Sequence, residues 1–363
     1  MSKDTNNKFS EATWDEFCSQ LQQTGGKILA NAPSDGLDKT EGFRYLARLT
    51  QHALDRFIEK PQPLRPKFKY NSPKIGGDNP DYLYGSATIS GHHSYIIQGQ
   101  VRDAFNLGIG SYYGGLGSGK GLLCSGYLIL SDLEKDEQGN FEIIVSKEEK
   151  SGNWLPIIDD SNAIMVRQTV LDRCNDQGAD LKIELLDNHS ANRAKPGPVD
   201  GEEFSRSLQS AGMFVGGVVE QFLIWTNTFK ENPNQILPTD PKLLEFAEGD
   251  PNTLYYNGYF ELAEGEALEV ELNPPKCEYW NLQVANHWLE SLDYLDYQTH
   301  FNHASARVDT DGKVKIIIAK NDPKAATGCD NWIDTAGHDC GCISMRWIKA
   351  DHDSQPITRV IKL

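Results

Sequence analysis

No stretch of this chain approaches the ~18 consecutive apolar residues that span a bilayer, and the opening Met-Ser-Lys-Asp-Thr-Asn-Asn-Lys has no apolar signal core. The chain therefore reads as soluble, unexported and cytoplasmic. Positive charge is in deficit: 35 lysines and arginines face 52 carboxylates, a formal net charge of −17. Such a balance repels phosphate backbones and anionic lipid, so neither nucleic acid nor a membrane is an expected partner. Cysteine is sparse and scattered, at positions 18, 124, 174, 277, 329, 340 and 342, an odd set that implies reduced thiols. Reaction signatures are missing too: there is no Gly-x-Ser-x-Gly elbow, no His-Glu-x-x-His helix and no nucleotide fingerprint. Gly114 to Lys120 nearly forms a phosphate-binding loop, but Gly121 stands where a Ser or Thr must reach the metal, and Leu122 to Leu130 reads as a strand. A flexible glycine loop beside a cleft is the expectation.

What is present is enough apolar material, 39% of 363 residues, to bury two cores, and two packed units are expected. Trp14, Phe17, Leu21 and Ile28 recur at near-helical intervals, and a second helix begins near Thr40, with Phe43, Leu46, Leu49, Ala53 and Phe57 on one face until Pro61 and Pro63 stop it. Short alternating runs then predict strands over Ala87 to Gln98, Gly126 to Leu130, Phe141 to Val145, Ala163 to Leu171 and Leu181 to Leu185. A helix is expected over Gly201 to Phe229. A second set of strands follows over Leu254 to Leu262, Ala267 to Leu272, Tyr279 to Trp288, Ala304 to Val308, Val314 to Ala319 and Ile343 to Ile348. The fold class is mainly β with helical additions, an α+β chain of several parts. Residues 1–66 form an N-terminal helical segment, 67–190 a first antiparallel sandwich, 191–250 a linker and helix, and 251–363 a second sandwich.

Chemically capable side chains concentrate near the C-terminal end. Asp334, Thr335 and His338 lie on a glycine-relaxed loop before a strand that carries Arg346. Asp334 and Thr335 could equally cap local amides there, with His338 an ordinary surface imidazole. Over Tyr279 to Trp288, period two puts Tyr279, Asn281, Gln283 and His287 on one face and Trp280, Leu282, Val284 and Trp288 on the other, which suits a cleft floor or solvent. Arg167 sits in a strongly apolar strand and needs a carboxylate, such as Asp172 or Glu184, or a ligand anion. Cys329, His338, Cys340 and Cys342 could offer soft ligands, but structural-zinc spacings are absent and no metal is assigned.

Glu41-Gly42-Phe43-Arg44-Tyr45-Leu46, Asp78-Asn79-Pro80-Asp81, Asn153-Trp154-Leu155-Pro156, Val166-Arg167-Gln168, Tyr279-Trp280 and Asn331 to His338 with Arg346-Trp347 together resemble a bacterial family catalogued as domain of unknown function twelve-fourteen. The resemblance runs from about Trp14 to Trp347. It implies β-sandwich units of jelly-roll type with attached helices, and it brings no agreed reaction. Arg167, Trp332, Asp334, His338 and Arg346 fall on the resembling blocks, whereas Cys340 and Cys342 look peculiar to this chain.

The leading functional expectation is a hydrolase- or lyase-type enzyme acting on a small molecule. His338, oriented by Asp334, would serve as acid or base, with Arg346 and His287 completing the catalytic set. Arg167, Tyr279, Trp280, Gln283, Trp288 and Trp332 would bind substrate, the three tryptophans walling a cleft. No redox cofactor is called for. The alternative is a non-catalytic sandwich that binds a sugar or another small ligand. A purely structural protein comes third, and self-association into a homo-oligomer is left open.

Overall fold

The computed structural model describes residues 9–33, 36–59, 62–70, 72–173, 175–186 and 199–363. Three long helices, α1 (Glu11–Asn31), α2 (Gly36–Phe57) and α3 (Gly201–Lys230), fall where the 3.6-residue periodicity places them. At the start of α3 the Asp200 carboxylate accepts the Glu203 amide, satisfying one of the free N–H groups of the first turn. Two single-turn helices, α4 (Pro241–Leu244) and α5 (Lys324–Thr327), lie in connections.

Among the described residues seventeen strands form four sheets. Sheet A runs in the order β1 (Tyr82–Thr88), β7 (Ser161–Thr169), β3 (Asn106–Gly115), β4 (Gly121–Ile129). Sheet B runs β6 (Trp154–Pro156), β5 (Asn140–Ser146), β2 (Tyr95–Gln100), β8 (Asp180–Leu185). Ile97, Leu107, Ile109, Ile143, Val145, Ile164 and Val166 fill the space between A and B, making the first sandwich. Sheet C runs β13 (His300–Asn302), β12 (Tyr279–Ala285), β16 (Cys340–Ile348), β10 (Thr253–Glu261), β9 (Ile236–Pro238). Sheet D runs β15 (Trp332–Asp334), β14 (Val314–Ala319), β11 (Glu266–Leu272), β17 (Ile357–Lys362). Leu268, Val270, Leu282, Val284, Ile316, Ile343 and Met345 seal C against D as the second sandwich. The helices cover the outer face of sheet C, where Phe17, Ile28, Tyr45, Val215 and Phe222 join Tyr259, Ala285, Trp288 and Cys342 in a third apolar cluster. Each fully buried large apolar side chain contributes about 1.5–3 kcal/mol, so these three clusters hold the elements together far more than the exposed ion pairs do.

Several local expectations are corrected. The run Ala87 to Gln98 is two strands, not one: it breaks at Gly91, where a Cβ would lie 1.9 Å from the Ile158 carbonyl oxygen, and there the chain crosses from sheet A to sheet B. Residues 304–308 form a turn and not a strand, because Asn302 turns the chain by accepting the amides of Ala304 and Ser305. The expected antiparallel pairing fails at the three-residue strands β6 and β15, which pair in parallel with β5 and β14 at sheet edges.

Candidate functional site

β16 builds both candidate regions, because its alternation splits inward residues (Ile343, Met345, Trp347) from an outer row. On that outer row Cys342 stands in register with Tyr259 and Ala285, Ser344 with Asn257 and Gln283, and Arg346 with Tyr255 and Asn281. The outer face of sheet C thus runs from thiols near its helix-covered end to a guanidinium near the first sandwich.

The polar face of β12 is buried against the segment entering β1. The Asp81 carboxylate accepts the Tyr279 phenol at 2.6 Å and the Asn302 amide at 2.9 Å, and its other oxygen lies 2.9 Å from His300 Nε2. Burial alone would raise the Asp81 pKa, but these partners outweigh it and hold the carboxyl below its usual value. Asn79 donates to the Tyr279 phenol at 3.0 Å, and Gln283 donates to the Asp78 carbonyl at 2.7 Å. Tyr279 and Gln283 therefore join the two sandwiches.

The three tryptophans do not wall one cleft. Trp280 points into the second sandwich core with its ring centroid 5.9 Å from that of Trp347. Trp288 is buried beneath the helices and donates its indole N–H to the Asp38 carbonyl at 2.8 Å. Trp332 packs beside Ala267, Ile317 and Ile361, with its N–H on the Ala319 carbonyl at 2.9 Å. Asp334 does not orient His338; it accepts the Ala336 amide at 2.7 Å, the local turn that Asp favours, and burial raises its pKa. His338 is instead held by the Thr335 carbonyl at Nδ1 (2.8 Å) and by Glu41 of α2 at Nε2 (2.9 Å). His287 bonds the Tyr259 phenol through Nδ1 at 2.9 Å. His338 and Arg346 lie at opposite ends of β16, and the six-residue span from Cys340 to Arg346 alone separates their ends by roughly 20 Å.

A cavity of about 150 Å³ lies where the outer faces of sheets A and C meet. Sheet A contributes Tyr84, Met165 and Arg167, and sheet C contributes Tyr255, Asn257, Ser344 and Arg346. Phe222 and Trp225 of α3 form an apolar wall, with Ile75 and Asp78 from the segment before β1. The Asp78 carboxylate accepts the Ser291 amide at 2.9 Å and hydroxyl at 2.7 Å. Burial nevertheless holds its pKa above the usual value.

The two arginines are satisfied very differently. Arg346 donates to Gln283 Oε1 at 2.9 Å, to Asn281 Oδ1 at 3.4 Å and to the Gly77 carbonyl. Arg167 donates to the Tyr112 phenol at 2.7 Å and lies over that ring at 5.5 Å. Among the described residues no carboxylate comes within ion-pair distance of Arg167. The expected partners are engaged elsewhere: Glu184 pairs with Lys182 at 2.8 Å, and Asp172 accepts the Asn175 amide at 2.6 Å.

Glycine shapes this wall. Gly108 sits opposite Arg167 in the β3–β7 ladder, and a Cβ there would lie 2.0 Å from the Tyr127 phenol oxygen; at Gly110 it would lie 2.6 Å from the Tyr112 ring. The missing side chains admit both phenols beside the guanidinium. Tyr127's oxygen is buried with no hydrogen-bond partner, a polar atom left unsatisfied near Arg167. The glycine loop does border the cavity, through Leu116, and it is held to α3 by the Gly117 amide on Gln221 Oε1 at 2.8 Å and by close backbone contact with Gly217. Sequence reasoning missed Tyr84, Tyr112, Tyr127, Tyr255 and Glu41. Only the Gly-x-Gly spacing in β3 hinted at the first wall, and only the Glu41-Gly42 block hinted at the partner of His338.

Fold and cavity together define a double β-sandwich protein, capped on one sheet by three helices, with an internal hollow of arginine and tyrosine between its sandwiches. The chain belongs to the family described as Protein of unknown function (DUF1214), whose family model matches residues 261–351, most of the second sandwich. A crystal structure of an uncharacterized protein from Burkholderia cenocepacia is similar throughout, at 38% identity over 96% of each chain with a TM-score of 0.89. The VPA0106 protein from Vibrio parahaemolyticus is 13% identical, with 86% of this chain and 96% of that one covered and a TM-score of 0.50, a likeness of fold alone. No curated protein matches. Among the described residues no helix is long and apolar enough to cross a membrane.

Proposed function

We propose that this protein binds a small organic anion in the cavity between its sandwiches, with Arg167 as the anchor for the charged group. One observation carries the reading: Arg167 lines the cavity and donates a hydrogen bond to Tyr112, and among the described residues no carboxylate lies within ion-pair distance of it. A guanidinium offers five N–H donors in a planar fork that matches a carboxylate, and desolvating it without an anion is costly. Arg346 is satisfied by Gln283, Asn281 and the Gly77 carbonyl, and Asp78 by Ser291, so the guanidinium with donors to spare is the one on the sheet A side. The opposite wall of Phe222, Trp225 and Leu289 suits an apolar body on the ligand.

The hydrolase or lyase reading needs an acid–base pair at the ligand. His338 faces Glu41 beneath α2 and is not among the cavity residues, so binding without turnover is the reading the geometry favours. A thermal-shift screen of small carboxylates, their neutral amides and neutral sugars tests it. A carboxylate at 100 times its Kd should add about 2.7 kcal/mol of stability, and Arg167→Met should remove that gain. Equal stabilisation by the neutral amides, or gains that survive Arg167→Met, would refute the assignment.

A further inference from the structure

Arg167 is not alone among the donors of the hollow in lacking an acceptor. Tyr84 stands directly across from Arg167 in the β1–β7 ladder, and Tyr255 stands across from Arg346 in the β10–β16 ladder. Both tyrosines line the hollow, and Tyr255 lies within electrostatic reach of the Arg167 guanidinium. Each phenol oxygen is held by a backbone amide: Asn79 donates to Tyr84 at 2.8 Å, and Asp250 donates to Tyr255 at 2.9 Å. Gly249 has no side chain where a Cβ would lie 2.3 Å from the Tyr255 oxygen, so that ring can reach the Asp250 amide. A phenol that accepts still has its own proton to give, and among the described residues neither proton meets an acceptor.

The carboxylates on the hollow are turned to other partners. Asp78 accepts from Ser291, and Glu248 accepts the Cys124 amide at 2.5 Å. A ligand must therefore bring the missing acceptors. A carboxylate has about four lone-pair sites, which two N–H groups of the Arg167 fork and the two phenol protons would fill. A second negative charge on the same ligand would be repelled by Asp78 and Glu248, which limits it to one. Size narrows the class further. The hollow measures about 150 Å³, a volume that takes a single benzene ring, and Phe222, Trp225 and Leu289 give it an apolar side.

Resting on the anion reading above, we infer that the ligand is a monocarboxylate of one-ring size, and that Tyr84 and Tyr255 set this specificity by donating their phenol protons to the carboxylate that Arg167 anchors. The test titrates the full chain with benzoate, benzamide, naphthoate and terephthalate, and repeats the benzoate and benzamide titrations in Tyr84→Phe, Tyr255→Phe and Arg167→Met. Benzoate should saturate one site. Naphthoate, too large, and terephthalate, with a second charge, should each bind about tenfold more weakly or worse. Each tyrosine variant should lose roughly tenfold in benzoate affinity, and the preference for benzoate over benzamide should shrink with it. Unchanged benzoate affinity in either tyrosine variant would overturn the inference, as would naphthoate or terephthalate binding as tightly as benzoate. If Arg167→Met still lost benzoate in those cases, the anion reading would stand without it. Failure of every carboxylate to bind the wild type would overturn both. The size and charge series uses the wild type alone, so it decides the question even if a tyrosine variant fails to fold.

Discussion

Arg167 and Arg346 show one side chain put to two uses. Arg346 is wrapped by carbonyl and amide oxygens from β12 and from the segment before β1, whereas Arg167 keeps most of its donors open to the cavity. If that opening serves a ligand, it costs stability when the ligand is absent. Arg167→Met, which keeps much of the apolar stem and removes the charge, should therefore stabilise the ligand-free protein by about 1–4 kcal/mol. Urea denaturation of both proteins decides it, and a variant weaker than wild type would mean that Arg167 is part of the scaffold. His338 leads to a second prediction. Burial lowers its basicity, but the Glu41 and Thr335 oxygens outweigh that and raise its pKa above 6.5. Burial raises Glu41, but His338 and Asn286 hold it below 4.5. A raised imidazole stabilises fully below its unfolded pKa and loses that contribution as pH rises through its folded one. A depressed carboxyl stabilises above its unfolded pKa and loses that contribution as pH falls through its folded one. The contribution of this pair, with Asp38 and Arg44 acting on it, should be largest between 4.5 and 6.5 and fade on either side. The stability difference between wild type and His338→Gln, followed by denaturation across that range and above it, should shrink as pH rises; a constant difference speaks against the ion pair. The oddity of His338 was legible in the sequence, but its partner lies 297 residues away, so local reasoning gave it Asp334.

Among elements, legibility followed how much of the determining information each segment carries itself. The long helices were readable because each buries one face, and that face repeats every 3.6 residues within the helix. β3 was not readable: its Gly108 and Gly110 make sense only beside Tyr127 and Tyr112, whose rings occupy the space, so the signal is shared between positions. The split into two faces was read correctly from period two within β12, which ends at Ala285; beyond it Trp288 joins the helix-covered cluster and not the face of Trp280. What the polar face of β12 meets was not read, because the segment from Asp78 to Asp81 lies about two hundred residues upstream. Gly108→Ala is the corresponding test. The added methyl must displace the Tyr127 phenol, which should cost about 1–3 kcal/mol and weaken anion binding as the wall around Arg167 shifts. Unchanged stability in thermal unfolding would show that the close approach is relieved cheaply.

Across the whole molecule, two sandwiches that each close their own core are joined by a polar seam and a shared hollow. Sequence patterning anticipated two β units with added helices, but not that the outer faces of sheets A and C meet, since nothing in either strand set records its neighbour. The seam depends on Asp81, which ties β1's approach to β12 and β13. Asp81→Ala would leave the Tyr279 phenol and the Asn302 amide buried without their acceptor and should cost about 3–5 kcal/mol. Chemical denaturation monitored by intrinsic fluorescence would measure it, and a loss under about 1 kcal/mol would show that the seam tolerates the gap. The central claim, an anion anchored at Arg167 between the sandwiches, is tested most directly by calorimetric titration of the best-stabilising carboxylate into wild type, Arg167→Met and His338→Gln. The account predicts one site per chain, a loss of affinity of about tenfold or more in Arg167→Met, and little change in His338→Gln. Equal affinity in wild type and Arg167→Met would contradict it.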